Sequence, residues 1–108
     1  MKTTMVARDA IQEFCERLVD LYHPQKILLF GSYAYGRPGA DSDVDLLVVM
    51  PLDGSAARMS AEILTRLAPS FPVDVLVRSP GILAERLAAG DFFLREIVEK
   101  GIVLHEVA

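Results

Sequence analysis

Three carboxylates, Asp41, Asp43 and Asp45, fall within five positions, immediately ahead of the aliphatic run from Leu46 to Val49. Read as a strand from Val44 to Met50, this stretch puts residues two apart on one face, about 6.6 Å apart along the axis. Asp43 and Asp45 then project together, while Val44 and Leu46 face the core. At an effective dielectric of about 20, like charges that far apart repel by about 2.5 kcal/mol. A third carboxylate, Asp74, sits one residue into a second β run, PVDVLV, with Val73 and Val75 on the opposite face. If the two strands are neighbours, three negative charges converge on one spot. Such a spot needs a cation, a basic partner or a proton. Magnesium suits it, because hard cations take carboxylate oxygens and leave positions for water and substrate phosphate. Two such ions can activate an attacking oxygen and stabilise a leaving pyrophosphate.

Other motifs compete with this one. The Asp41-x-Asp43-x-Asp45 spacing opens like an EF-hand, but the sixth position is Leu46 instead of glycine and the twelfth is Leu52 instead of glutamate. Gly31 and Ser32 follow an apolar run and open a turn in which backbone N–H groups and a hydroxyl can hold phosphate. Gly31 to Gly36 has P-loop spacing, yet Arg37 and Pro38 stand where Lys and Ser or Thr belong. Tyr33 replaces the second glycine of a dinucleotide fingerprint. Tyr33 and Tyr35 read as packing residues or as aromatic faces open to a ligand. Cys15 lies on an apolar helical face and reads as a small buried hydrophobe.

These residues must be positioned by alternating helices and strands. Ile11, Phe14, Cys15, Leu18, Val19 and Tyr22 recur at spacings of three and four, which predicts a helix from Thr4 to Tyr22, ended by His23 and Pro24. Strands are expected at Lys26 to Phe30, Val44 to Met50 and Val73 to Arg78, with a helical turn begun at Ser32 and a helix from Ser55 to Leu67. Helices from Pro80 to Ala89 and from an Asp91 cap to Lys100 follow, then a strand-like IVLHEV. Phe92, Phe93, Ile97, Ile102 and Val103 supply apolar surface either for the core or for association with a partner. The pattern is α+β or α/β.

The chain has 108 residues, of which 52% are hydrophobic and 24% charged, so residues 1–108 are expected to form a single globular domain. Lys and Arg number 11 against 15 Asp and Glu, a net charge of −4 with no basic cluster, which disfavours direct nucleic-acid binding. One cysteine excludes an internal disulfide and every thiolate zinc pattern. No run of 18 apolar residues and no leader-like segment is present, so no membrane partner and a cytoplasmic location are expected.

A Gly-Ser pair after a strand, ten residues, an Asp-x-Asp heading a second strand and an Asp in a later strand together resemble the DNA polymerase beta-like nucleotidyltransferase superfamily. The likeness runs by motif from Lys26 through Arg78, and more loosely to His105 by element order. It is nearest to the minimal nucleotidyltransferase group, small domains usually encoded beside a HEPN partner. That resemblance implies a small mixed sheet with helices packed on one side, and magnesium-dependent nucleotidyl transfer from ATP. It assigns Gly31 and Ser32 to phosphate, Asp43 and Asp45 to metal and catalysis, and Asp74 to the third catalytic, metal-binding carboxylate. Where Tyr35 stands the family often has a basic residue, and Arg37 is the candidate substitute for phosphate.

Polymerases and antibiotic-modifying members need extra domains or helices that 108 residues do not supply. The acceptor site is therefore expected to be completed by another chain. The resemblance implies a HEPN ribonuclease toxin in a hetero-oligomer, neutralised by AMP transfer to a tyrosine. The alternatives are a non-catalytic module that masks the toxin by contact and a nucleotidyltransferase acting on a small molecule.

Overall fold

The two central strands of the sheet coincide with the longest apolar runs, ILLF and LLVVM. In the computed structural model, which describes residues 5–107, strands β1 (Lys26–Phe30), β2 (Val44–Val49), β3 (Val73–Arg78) and β4 (Ile102–Glu106) make one sheet in the order β3-β2-β1-β4. β1 pairs antiparallel with β2 and with β4, and β2 pairs parallel with β3. The sheet is therefore mixed, as expected. A parallel pair cannot be joined by a tight turn. Helix α3 (Ala56–Leu67) makes the crossover, with the Ser55 hydroxyl accepting from the Arg58 amide at its start.

Helix α1 (Arg8–Tyr22) begins later than the Thr4 start expected from its periodicity; Thr4 itself lies outside the described residues. It ends at His23, whose left-handed backbone, φ 50°, lets its amide donate to the Val19 carbonyl at 2.9 Å. Helix α2 (Ser32–Tyr35) is the single turn expected after β1. Helices α4 (Pro80–Ala88) and α5 (Phe92–Lys100) are capped by Ser79 and Asp91, whose side chains accept from Ile82 N and Leu94 N.

The helices do not all pack on one side of the sheet, and this corrects the arrangement that the resemblance implies. Ile27, Leu29, Val44, Leu46 and Val48 face α1 and α3, meeting Phe14, Leu18, Ile63 and Leu67. Leu28, Phe30, Leu47 and Val49 point the other way and are covered by Leu94 and Ile97 of α5, with Leu83 and Leu87 of α4 packed at the margin. All four are at most 7% exposed. Leaving them bare would forfeit about 1.5–3 kcal/mol for each side chain. The second helical layer is the physical consequence of apolar residues on both faces of β1 and β2. Gly101 lets α5 turn into β4 beside β1, since a Cβ there would meet the carbonyls of Ile97 and Leu29.

Candidate functional site

One rung of the sheet carries the chemistry. Phe30 of β1 is the register partner of Asp45 of β2, and Asp45 is the partner of Asp74 of β3. By strand alternation all three project onto the face that α5 covers further along, shared with Leu28, Leu47 and Leu76. The rung lies at the end where β1 finishes and the parallel pair begins, and the Val44 amide donates to the Pro72 carbonyl at 3.0 Å to close that end. Asp45 is half-buried, while Asp74 and Asp43 are exposed. Burial pushes the Asp45 carboxyl above the ordinary carboxylate range, and the charges of Asp74 and then Asp43 push the same way.

Gly31 follows Phe30 directly with φ 72° and ψ −153°, and a Cβ built there would run into Asp45 Oδ2. Ser32 is the first residue of α2 and is half-buried. The opening amides of a helix have no acceptor within it, so those of Ser32 and Tyr33 are available donors beside the carboxylates. Phe30, Gly31, Tyr35, Asp45, Asp74, Leu76, Phe93 and Glu96 are among the residues that line a cleft of about 600 Å³, a size suited to a small ligand. A smaller cavity of about 360 Å³ lies under α4 at the opposite end of the strands, beside the Lys26–Glu106 ion pair at 3.5 Å. It holds no paired carboxylates.

Gly31, Asp45 and Asp74 thus meet in one cleft, with Ser32 next in the chain and Asp43 on the same edge. Arg37 does not join them: it is exposed in the turn after α2 and does not line the cleft. Tyr33 and Tyr35 separate. Tyr33 packs against the α1 side of the core and its hydroxyl accepts from the Val6 amide at 2.9 Å, whereas Tyr35 lines the cleft. Cys15 is buried, and burial pushes its thiol up to about 12, so it is no nucleophile.

Phe93 and Glu96 are cleft residues that sequence reasoning did not assign to the site. Leu94 and Ile97 mark the buried stripe of α5, and Phe93 and Glu96, three apart, form the stripe beside it. That phase was legible in the sequence. What it faced was not.

The donor set can be tested against a divalent cation. Among the described residues no three His, Cys, Asp or Glu side chains gather closely enough to enclose a metal by themselves. Magnesium does not require that, since it keeps several waters and binds through one or two carboxylates together with substrate phosphates. An open carboxylate pair at the mouth of a cleft, one member unfavourably charged when alone, fits such an ion. Zinc or calcium would need a fuller cage. No helix of the described residues is long and apolar enough to cross a membrane.

Residues 8–104 match the family described as the nucleotidyltransferase domain. A Methanocaldococcus jannaschii protein, provisionally named a protein adenylyltransferase, is 32% identical over 100 residues, covering 89% of this chain and 95% of that one. Among solved structures, a Sulfolobus solfataricus protein with the provisional name nucleotidyltransferase superposes with a TM-score of 0.60 at 18% identity, over 88% of this chain and 76% of that chain. A toxin–antitoxin structure with AMP-PNP gives 0.55 at 22%, over 89% and 73%. A mutant of the toxin–antitoxin pair MntA-HpeT gives 0.54 at 18%, over 89% and 73%. At these identities the structural likeness speaks for the fold.

Proposed function

This chain belongs to the nucleotidyltransferase domain family, and on that premise we propose that it transfers AMP from ATP, with magnesium, to a tyrosine of a partner toxin of the HEPN type. The observation that carries the reading is the Asp45–Asp74 rung beside Gly31, which sets paired carboxylates against a turn with free amides. The protein-adenylyltransferase name of the 32% identical relative supports a protein acceptor. AMP-PNP in one structural neighbour supports ATP as donor, and the toxin–antitoxin assemblies support a toxin as partner.

In this reading the acceptor oxygen forms a bond to the α-phosphorus of ATP, the bond from that phosphorus to the bridging oxygen breaks, and pyrophosphate leaves with the electron pair. Asp43 and Asp45 would hold magnesium, joined by Asp74, and one or two bound ions would neutralise the triphosphate and stabilise the departing pyrophosphate. Ser32, through its hydroxyl and amide, fixes phosphate oxygens, while Gly31 leaves room for the Asp45 carboxylate to lie directly beside that turn. Asp74, exposed at the cleft mouth, receives the proton from the tyrosine hydroxyl and passes it to water. Arg37 would have to move into the cleft to assist, and its role stays peripheral.

Intact-mass spectrometry of a HEPN-type partner, incubated with this chain, ATP and magnesium, tests the assignment. A gain of one or more AMP units, absent with Asp43→Asn, is expected. Tight association with no mass gain would replace transfer with masking by contact.

A further inference from the structure

The cleft has two chemically different ends. Along its rung the Phe30 position stands one strand spacing, about 4.8 Å, from Asp45 and two from Asp74. Phe93, the second residue of α5, meets Phe30 edge to face, with ring centroids 5.8 Å apart and planes at 84°. Phe93 is 54% exposed and lines the cleft, whereas its neighbour Phe92 is 85% exposed and does not. The Phe93 ring is thus braced by a buried aromatic and still offers aromatic surface to a ligand.

Charge fixes which part of a nucleotide can lie there. Glu96 lines the cleft three residues along α5 from Phe93. Its carboxylate is paired with Lys100 at 3.6 Å and gives a triphosphate no attraction from within the cleft on the α5 side, whereas the amides near Gly31 and a cation on Asp45 and Asp74 attract one to the other side. The uncharged base is left facing α5. Tyr35 also lines the cleft, but it belongs to α2, which starts at Ser32 on the phosphate side.

We propose that Phe93 is the platform on which the nucleobase of the substrate triphosphate stacks, an inference that rests on the nucleotidyltransferase reading of the carboxylate end. Every base has a π face, so such a platform raises affinity for a nucleotide over a bare polyphosphate without choosing among bases. The chain contains no tryptophan. Phe93→Trp therefore places a single indole at the platform, and its emission reports stacking directly.

The experiment titrates wild type, Phe93→Ala and Phe93→Trp with ATP and with tripolyphosphate, each with magnesium, by calorimetry and, for the tryptophan variant, by fluorescence. Wild type should prefer ATP. Phe93→Ala should lose about tenfold in ATP affinity, as for a lost base–aromatic stack, while keeping its affinity for tripolyphosphate. Phe93→Trp should restore ATP binding and be quenched by ATP and not by tripolyphosphate. ATP binding to Phe93→Ala at wild-type strength, or an indole indifferent to ATP that nevertheless binds, overturns the platform and leaves the carboxylate site standing. Failure of the wild type to bind either ligand overturns the site itself.

Discussion

A Cβ added to Gly31 would collide with the carboxylate of Asp45, so the backbone after β1 and the half-buried aspartate of β2 occupy adjoining space with nothing between them. Gly31 also adopts φ 72° and ψ −153°, a conformation almost restricted to glycine. Two independent constraints, one on the backbone and one on the space beside Asp45, therefore require glycine at this position. The relationship ties the turn that would hold phosphate to the carboxylate that would hold metal.

Gly31→Ala should consequently be costly twice over. Backbone strain is expected to lower stability by about 2 kcal/mol, or about 10 °C in thermal midpoint for a chain of this size. Displacement of Asp45 should further weaken magnesium-dependent ATP binding. Gly39→Ala, at a glycine with open space around it, is the control and should move neither quantity appreciably. Differential scanning calorimetry and ATP titration check both.

Asp45→Asn and Asp43→Asn should each reduce AMP transfer by more than about 100-fold, exceeding the loss typical of residues that only support a metal ligand. Asp41→Asn, exposed and outside the strand, should have a smaller effect. Without metal, Asp45→Asn should melt at or above the wild-type temperature at neutral pH. Burial raises the Asp45 carboxyl in the folded state, so its ionised form opposes folding, and wild-type stability falls as pH rises past the ordinary aspartate value. The variant lacks that loss. A metal-free melting series from pH 4 to 8, with this advantage growing toward high pH, checks the sign; a variant that melts lower throughout contradicts it.

Asp91 works in the opposite direction. Its carboxylate accepts from the Leu94 amide at 3.0 Å and pairs with Arg86 at 3.2 Å, and these contacts, the Leu94 hydrogen bond foremost, hold its carboxyl below the ordinary 3.8. A depressed folded-state value contributes stability above the unfolded value and loses it as pH falls through the folded one. The wild type should therefore be more stable than Asp91→Asn at pH 7, with the difference shrinking below about pH 4 and gone at the acid limit. Asparagine keeps the cap geometry, so the comparison isolates charge. Asp91→Ala, which removes the cap itself, should in addition loosen the start of α5 that carries Phe93, readable as weaker ATP binding at neutral pH.

The sequence by itself determined the elements and the parity of the candidate site. Lys26–Phe30 and Val73–Arg78 run as read, Ser55 and Asp91 cap the helices they precede, and period-two alternation alone sets Asp45 opposite Val44 and Leu46. These are local properties, fixed by propensity, capping and side-chain period within a few residues. The covering of both sheet faces was legible too, since KILLF and LLVV are unbroken apolar runs where a one-sided sheet would alternate. Only the tertiary structure decided that β2 lies parallel to β3 with Asp45 against Asp74, that Tyr33 goes to the core and Tyr35 to the cleft, and that α5 sets Phe93 over Phe30. Those relationships join residues some 30 to 60 positions apart, and they follow from which strands and helices must share a core, which no local period encodes.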